Sequence, residues 1–337
     1  MQLLTIVIAL LSATVSLVNA GRNPLARCKN ILLTNDDGWS STNIRATYYK
    51  LKEAGYNVFM VAPAIQRSGF GGSFGYPESP TLESDGGYGH PPAGSPSWGH
   101  EEYDDHIWYF NATPASCVAF GVTYLPLHFK KPIEFDLVVS GPNEGSNMSP
   151  GMFTISATLG AAYNAVYRGI PAIAASGKND DGTFFQTDMD LNDEMSPSTT
   201  YATMITEVVD QLLNGYGRAL PVGIGLNVNF PKVGYLDEDC IRPQWHNTRM
   251  TGAGACGGDL SYDETTKKWG WQRGYFEALQ TVCESGDCKL PSENYIVEHT
   301  NCSASISVFS IDYDAEYCTA KKVLQSIGDI FQPTHQC

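Results

Sequence analysis

The chain has 337 residues, a formal net charge of −15 at pH 7 and a sequence pI of about 4.8. Because no basic run offsets the electrostatic repulsion, this balance argues against a nucleic acid polymer as the main partner. A small anionic substrate stays compatible with it if a bound cation supplies positive charge locally. The length predicts one large α/β domain with elaborations in preference to two small domains.

The first twenty residues carry no charged side chain and hold an apolar run from Leu3 to Leu17, followed by the small residues Val18 and Ala20. This pattern predicts a secretory signal peptide over residues 1–20, although the usual Lys or Arg near its start is missing. A signal anchor is the alternative, but the apolar run is shorter than the ~20 residues that a bilayer span needs. We therefore expect a secreted, extracellular protein that is not held in a membrane after signal cleavage.

Nine cysteines, all after the predicted signal, fit an oxidising compartment. Their number is odd, and Cys117 lies in an apolar helical stretch, so we expect it to be a buried free thiol. The other eight allow up to four disulfides, whose pairing the sequence does not determine. Zinc is the alternative, but no CxxC pair occurs. The eight are Cys28, Cys240, Cys256, Cys283, Cys288, Cys302, Cys318 and Cys337.

The segment 30–38 is the most informative stretch of the chain. Its apolar residues 31–33 predict a buried parallel strand, and Asn35, Asp36 and Asp37 follow at the carboxyl end, where open α/β sheets bind ligands. Adjacent carboxylates repel each other unless a cation or protons separate them, and the glycine that follows lets both face one ion. The alternative is an ordinary turn in which an Asx side chain caps the next helix.

Apolar periodicity, caps and Pro or Gly stops predict alternating strands and helices along the rest of the chain. Strands are predicted at residues 57–62, 107–110, 135–140, 170–175, 222–228, 295–299 and 305–311. Helices are predicted at residues 43–53, 113–124, 156–168, 197–213 and 314–327. The pattern predicts an α/β fold, a Rossmann-like three-layer sandwich with a mostly parallel sheet. We expect residues 21–337 to form a single domain with its core at about 28–231 and a loop-rich, cysteine-rich elaboration at about 232–337, stapled by disulfides.

Residues 63–105 lose this periodicity. Gly, Pro and Ser dominate them, with Tyr76, Tyr88, Trp98 and Tyr103 interspersed. The segment is too long for an ordinary connector. It is either a flexible surface insertion or a lid whose aromatic rings stack on a substrate.

Three strand tips carry small oxygen ligands: Asp36 with Asp37, then Ser68, then Asn143. Parallel topology brings such tips to one edge of the sheet. Two carboxylates, a hydroxyl and a carboxamide form an all-oxygen shell that suits Mg²⁺ or Mn²⁺, with Ca²⁺ as the alternative. Ordinary turn chemistry remains the other explanation for Ser68 and for Asn143.

Six sequence blocks follow one another in a fixed order. They are Ile-Leu-Leu-Thr-Asn-Asp-Asp-Gly at 31–38, Val-Ala-Pro-x-x-x-x-Ser-Gly at 61–69, Thr-Pro-x-x-Cys-Val at 113–118, Asp-Leu-Val-Val-Ser-Gly-x-Asn-x-Gly-x-Asn at 136–147, Gly-Ala-Ala with Arg-Gly-Ile-Pro-Ala-Ile-Ala-x-Ser at 160–176, and Leu-Asn-Val-Asn-x-Pro at 226–231. In this order they resemble the SurE family of metal-dependent 5′-nucleotidases and acid phosphatases. The resemblance covers about residues 28–231 and, more faintly, 295–330.

The resemblance implies roles for individual residues. Asp36, Asp37, Ser68 and Asn143 would be the metal ligands, and Asp36 or Asp37 would also serve as base or nucleophile. Asn35 and Asn147 match polar positions of the same pocket, and Ser156 and Thr158, at the start of a helix, would hold the substrate phosphate. One departure is Ser116, where many relatives have Asp, and it leaves the substrate preference open.

The resulting prediction is a secreted phosphomonoesterase that uses a divalent metal and acts on nucleoside 5′-monophosphates, with general phosphomonoesters as second substrates. By resemblance we expect a homo-oligomer. A secreted binding protein that kept the fold without catalysis is the alternative, with Ser116 as its only hint. A nicotinamide-dependent dehydrogenase is not favoured, because no GxGxxG follows the first strand.

Three sequons, at Asn111, Asn147 and Asn301, predict a glycoprotein. Pro114 hinders the first, and the second lies in the expected pocket and has Pro150 after it. Asn301 is therefore the expected glycan site.

Overall fold

The structure is a computed structural model that describes residues 29–179, 182–215, 217–250, 260–271 and 286–326. The predicted signal peptide and Cys28, Cys256, Cys283 and Cys337 lie outside these ranges. Within them, no helix combines the length and the apolar character needed to span a bilayer.

The strands of the described residues are β1 (Asn30–Thr34), β2 (Asn57–Ala62), β3 (Trp98–His100), β4 (Ile107–Phe110), β5 (Leu137–Glu144), β6 (Ala172–Gly177), β7 (Ile224–Phe230), β8 (Gln244–Thr248), β9 (Leu260–Asp263), β10 (Lys268–Trp271) and β11 (Ser303–Ser310). The α-helices are α1 (Thr42–Glu53), α2 (Pro114–His128), α3 (Ser149–Ile155), α4 (Ala157–Tyr167), α5 (Phe185–Asp188), α6 (Pro197–Leu213), α7 (Glu293–His299) and α8 (Tyr317–Ser326).

One sheet of nine strands dominates the described part of the chain, in the order β3-β4-β2-β1-β5-β6-β7-β11-β8. Neighbouring strands are parallel except for the pairs β3–β4 and β7–β11. The sheet order reverses between β1 and β5, so the carboxyl ends of these two strands flank a crevice of the kind that binds ligands. The predicted α/β class with a mostly parallel sheet is confirmed.

Both faces of the sheet are covered, which explains why β1 is apolar at consecutive positions. Ile31 and Leu33 belong to the core on one face, together with Ile44 of α1 and Ile205 of α6. Leu32 belongs to the core on the other face, with residues of α2 and α4. Successive side chains of a strand point to opposite faces, so the helices form the outer layers of a three-layer sandwich.

The insertion, residues 63–105, packs against the sheet edge instead of extending freely into solvent. It contributes β3, and its Glu101 forms a buried ion pair with Arg45 of α1 at 2.5 Å. The ring of His90 stacks on Trp39, just after the aspartate turn, with 4.6 Å between centroids. Breaking a buried ion pair costs about 3–5 kcal/mol, so these contacts fix the insertion behind the turn.

The C-terminal part departs most from the sequence predictions. The strand predicted at residues 295–299 is wrong, because these residues belong to helix α7. Ser292 caps this helix by accepting a hydrogen bond from the backbone N–H of Tyr295 at 3.2 Å. The helix buries Ile296 and Val297, two adjacent apolar residues that in isolation also suit a strand.

Some of the described cysteines form disulfides and others are free thiols. Cys240 and Cys302 form a disulfide, and Cys288 is disulfide-bonded as well. Cys117 is a buried free thiol, as predicted. Cys318, one of the eight cysteines that were available for up to four disulfides, is free and exposed.

Candidate metal and phosphate site

The turn after β1 is built by Asn35. Its side-chain Nδ2 donates to the carbonyl oxygen of Gly38 at 3.1 Å, and its Oδ1 accepts from the backbone N–H of Gly38 at 3.3 Å. Gly38 has a φ of +106°, a conformation that favours glycine. Both polar groups of Asn35 are therefore used to close the turn that presents the two aspartates. Neither of them caps the next helix, which begins at Thr42, so the Asx cap of the alternative interpretation is not formed.

Asp36 is nearly enclosed, with 2% of its surface exposed. Its Oδ1 accepts a hydrogen bond from Thr158 Oγ1 at 2.7 Å, and its carbonyl oxygen accepts from the backbone N–H of Arg67 at 2.6 Å. Burial raises the pKa of Asp36 to about 6, although the hydrogen bond from Thr158 acts in the opposite direction. The carboxylate is thus fixed between the start of α4 and the loop that follows β2.

Asp37 lies in a more negative environment and is 7% exposed. Its Oδ2 accepts from the backbone N–H of Glu144 at 3.0 Å, whereas its Oδ1 is buried without a hydrogen-bond partner among the described residues. Burial raises the pKa of Asp37 well above its usual range, and the negative charges of Asp36 and Glu144 raise it further. A cation beside these carboxylates would relieve both the repulsion and the cost of burial.

Asn143 lies at the end of β5, beside Asp37. The register between β5 and β6 shifts between Ser140 and Asn143, and such bulges redirect side chains near functional sites. The Asn143 amide donates to the carbonyl oxygens of Glu144 and Gly145 at 3.1 and 2.6 Å. Its Oδ1 is buried and, within the described part of the chain, has no hydrogen-bond partner.

These unpartnered oxygens test whether the predicted ligand set fits a metal. A buried oxygen left without a partner costs about 1–3 kcal/mol. Two such oxygens, Asp37 Oδ1 and Asn143 Oδ1, occur in side chains that both hydrogen-bond to the backbone of Glu144. Carboxylate and amide oxygens are preferred ligands of hard divalent cations. Among the described residues, no group of three or more His, Cys, Asp or Glu side chains is arranged to hold a metal. Amide, hydroxyl and water oxygens would therefore have to complete the coordination.

Ser68 occupies an exposed position in the loop after β2, directly after Arg67. Its hydroxyl makes no hydrogen bond within the part of the chain that the structure describes. The structure therefore places Ser68 beside the aspartate turn through the Arg67 to Asp36 hydrogen bond and leaves its oxygen available.

Ser156 and Thr158 lie at the start of α4, close to Asp36. Ser156 Oγ accepts from the backbone N–H of Leu159 at 3.2 Å and so caps the helix, and Thr158 donates to Asp36. The two predicted phosphate ligands are thus brought to the aspartates at a helix N-terminus, which attracts anions. Their hydroxyl groups already take part in these local hydrogen bonds.

Asn147 is locked into the sheet edge. Its Nδ2 donates to Ser176 Oγ at 2.9 Å, its backbone N–H donates to Asn229 Oδ1 at 2.9 Å, and its carbonyl oxygen accepts from Asn227 and Asn229. No role was predicted for Asn227 and Asn229. Their spacing of two residues places both on one face of β7, and this was the available signal.

Glu293 is a third residue that sequence reasoning missed. It is fully buried at the start of α7, and its two carboxylate oxygens accept from the backbone N–H of Ser149 and from Asn227 Nδ2, each at 2.9 Å. Burial raises the pKa of Glu293 to about 7, against the lowering effect of these hydrogen bonds. No local motif marks it, because its partners come from β7 and from the start of α3.

Ser116, the departure from the family pattern, lies outside this constellation. Its Oγ accepts from the backbone N–H of Gly75 at 2.9 Å and lies 3.0 Å from Thr113 Oγ1. Thr113 in turn donates to the carbonyl oxygen of Ser73 at 2.7 Å. Ser116 therefore helps to fix the start of the insertion against α2.

Comparisons with known proteins agree with this fold. The model of the family described as Survival protein SurE matches residues 31–255. An acid phosphatase from Yarrowia lipolytica is 46% identical over 290 residues, covering 85% of this chain and 80% of that protein. A 5′-nucleotidase SurE from Christiangramia forsetii is 36% identical over 208 residues, covering 60% of this chain and 65% of that protein.

The structural comparison extends over most of the chain. A crystal structure of the SurE protein from Aquifex aeolicus matches with a TM-score of 0.57 and 25% identity, covering 88% of this chain and 99% of that one. The names of the relatives agree with the enzyme class predicted from the sequence, a hydrolase of phosphoric monoesters, and that prediction is confirmed. The predicted resemblance is also confirmed: this chain belongs to the SurE family.

Proposed function

We propose that this protein is a metal-dependent phosphomonoesterase that hydrolyses nucleoside 5′-monophosphates and, less selectively, other phosphomonoesters. The observation that carries the proposal is the pair of buried, unpartnered oxygens on Asp37 and Asn143, beside the enclosed Asp36. The names of the acid phosphatase and 5′-nucleotidase relatives support the reaction class.

Asp36, Asp37, Asn143 and Ser68 would hold a divalent cation. Their donor set is oxygen alone, which suits Mg²⁺ or Mn²⁺ and, with less constraint on geometry, Ca²⁺. When bound, such an ion polarises a phosphoryl oxygen and lowers the pKa of a bound water.

The residues of the chain supply positioning and proton transfer. Thr158 donates to Asp36 Oδ1 and so fixes that carboxylate relative to the N-terminus of α4, which stabilises the negative charge of a phosphate. Asp36 or Asp37 acts as the base that takes a proton from the attacking water, or as the nucleophile itself; in either case the bond between phosphorus and the ester oxygen breaks and the alcohol leaves. In-line geometry follows if the phosphate lies between the aspartate turn and the start of α4.

A non-catalytic binding protein is not favoured by any observation in the described residues. That alternative depended on Ser116, which contacts Gly75 and Thr113 and is no part of the aspartate site. Serine at position 116, where many relatives have Asp, leaves the pair Asp36 and Asp37 unchanged.

We further propose that the protein is secreted as a single domain with a stapled C-terminal elaboration and that it assembles as a homo-oligomer. The disulfide between Cys240 and Cys302 supports an oxidising compartment. It joins the segment after β7 to the strand β11 that pairs with β7, so it staples the elaboration to the sheet.

The direct test is hydrolysis of AMP and of p-nitrophenyl phosphate by the purified protein with Mg²⁺ or Mn²⁺, with and without EDTA. We expect phosphate release from both substrates and its loss when the metal is removed. Calorimetric titration with Mn²⁺ should show binding that Asp37→Asn abolishes. Activity that is insensitive to EDTA would contradict the metal, and absence of phosphate release from either substrate would contradict the reaction.

A further inference from the structure

A cavity of about 410 Å³ lies beside Ser68, between the start of the insertion and the turn that precedes α2. Its lining includes Arg67 and Phe70 from the insertion, and Asn111 and Thr113 from the turn before α2. Its volume is within the range of small-molecule sites, ~300–1,000 Å³. Since Arg67 and Phe70 lie on either side of Ser68 in sequence, the cavity opens next to the proposed metal.

Arg67 provides the positive charge of this cavity. Its backbone N–H is held by the carbonyl oxygen of Asp36, and its Nη2 donates to Asn111 Oδ1 at 3.0 Å. Its Nε is buried and has no hydrogen-bond partner among the described residues, and none of the ion pairs found there includes it. A buried donor without an acceptor favours a ligand that brings an oxygen or nitrogen acceptor.

The rim of the cavity restricts the charge and the shape of that ligand. Phe70 and Tyr76 expose their rings, and the guanidinium carbon of Arg67 lies 5.5 Å from the Phe70 centroid. Exposed Glu78 and Glu83 also line the cavity. Two carboxylates repel an additional anionic group, whereas they accept hydrogen bonds from neutral amino groups.

We propose that this cavity binds the leaving group of the phosphomonoester and selects a neutral, planar heteroaromatic group of the nucleobase type over one that carries a second phosphate. This inference rests on the proposed function, because the phosphate ester has to lie beside Ser68 for its leaving group to enter. Arg67 donates to a carbonyl oxygen or ring nitrogen, and the rim glutamates accept from an exocyclic amino group. Arg67 is thus a specificity-determining residue.

The test compares Arg67→Gln and Arg67→Lys with the wild type on AMP and on p-nitrophenyl phosphate. We expect Arg67→Gln to raise KM for AMP about tenfold. Its kcat for AMP, and its kcat and KM for p-nitrophenyl phosphate, should stay within about twofold of the wild type. The KM of Arg67→Lys for AMP should lie between those of the wild type and Arg67→Gln. Arg242→Gln is the matched control, because Arg242 is exposed and pairs with Glu207 on a helix away from the cavity. Equal losses on both substrates would overturn the proposal, because both variants keep the backbone N–H of Arg67 that holds the aspartate turn and an unselective loss would leave the Arg67 side chain no role in recognising the leaving group.

Two further arms separate this inference from the proposed function. The double variant Glu78→Gln, Glu83→Gln should improve kcat/KM for adenosine 3′,5′-bisphosphate at least threefold relative to AMP, and an unchanged ratio would overturn the charge selection. Adenosine binding, measured by calorimetry, should weaken about tenfold in Arg67→Gln, and unchanged binding would overturn the subsite. If the wild type hydrolyses neither ester, the proposed function fails, while the adenosine measurement still decides whether the cavity binds a nucleoside.

Discussion

Two groups of buried carboxylates lie near the same edge of the sheet, and their surroundings differ. Asp36 and Asp37 are adjacent, repel each other and have Glu144 nearby, and one oxygen of Asp37 has no partner among the described residues. Glu293 has no carboxylate neighbour among the groups that shift its pKa, and both of its oxygens accept hydrogen bonds. Among the described residues, one carboxylate oxygen of the first group therefore has no protein donor, whereas both carboxylate oxygens of Glu293 have one.

This difference teaches how burial alone can mislead. Burial raises the pKa of all three carboxyl groups, so a shifted pKa does not separate a functional carboxylate from a structural one. The hydrogen-bond partners make the distinction, because a structural carboxylate is satisfied by protein donors and a metal ligand is not.

The largest expected effect comes from Asp36→Asn. Removing one negative charge from the pair weakens the binding of the cation without opening a cavity. We therefore expect kcat to fall about 1,000-fold, or ~4 kcal/mol of barrier, while the melting temperature changes little. Steady-state kinetics on AMP with saturating Mn²⁺ measures this.

Asp136→Asn is the matched control for this change. Asp136 precedes β5 at the opposite end of the strands and pairs with Lys29, so its loss should leave kcat within about twofold. If Asp36→Asn keeps more than about a tenth of the wild-type kcat, corresponding to ~1.4 kcal/mol, Asp36 is not an essential ligand and acts only in the turn.

The sequence predicted the aspartate site far better than the Glu293 site, and the reason is physical. The strands predicted at 57–62 and 107–110 and the helix at 197–213 have the predicted bounds, because apolar period, caps and stops agree there. The turn residues of the aspartate site follow such elements directly, so local pattern alone places them at the sheet edge. Predicting that these turns meet at the carboxyl ends of the strands required only the parallel topology.

Glu293 could not be found in this way. It reaches Ser149 and Asn227 across more than sixty residues of chain, and the local sequence Tyr-Ile-Val-Glu-His suits a strand as well as a helix. β8 was missed for a related reason, since Gln244–Thr248 is polar and sits at the end of the sheet order, where one face and one edge need no apolar residues. β5 was predicted too short because Gly141 and Pro142 suggest a stop, yet the strand continues to Glu144.

The second prediction concerns pH and Glu293. Its folded pKa of about 7 exceeds the ordinary 4.5, so the folded state binds the proton more tightly than the unfolded state. The free energy of unfolding should therefore fall by about 3 kcal/mol as pH rises from 4.5 to 7. Below and above this window the contribution should be constant.

Urea unfolding of the wild type and of Glu293→Gln, at matched pH values and metal concentration, isolates this contribution. Asp36 and Asp37 are present in both proteins, so the difference between the two curves belongs to Glu293. A difference that stays constant between pH 4.5 and 7 would mean that the carboxyl group is not buried in the way that the structure shows.

The third prediction uses metal binding to separate the two groups. Adding Mn²⁺ at 100 times its dissociation constant should stabilise the wild type by about 2.7 kcal/mol, which corresponds to a melting temperature increase of a few degrees. Asp37→Asn should lose this increase, and Glu293→Gln should retain it. Differential scanning fluorimetry with Mn²⁺ or EDTA measures the melting temperature of both variants. An equal loss of the Mn²⁺-dependent increase in the two variants would contradict the assignment of Asp37, and not Glu293, to the metal site.

The smallest expected effect concerns the sequons, one of which lies in the network that Glu293 completes. Asn147 is buried and its side chain donates to Ser176, so a glycan there would require that network to open, whereas Asn301 is exposed. We expect mass spectrometry of the protein from a glycosylating host to find a glycan on Asn301 and none on Asn147. Asn301→Gln should remove that mass and change stability by less than about 0.5 kcal/mol, as for other surface substitutions. A glycan on Asn147 of active enzyme would show that the hydrogen bonds of Asn147 to Ser176, Asn227 and Asn229 are not formed in the working protein.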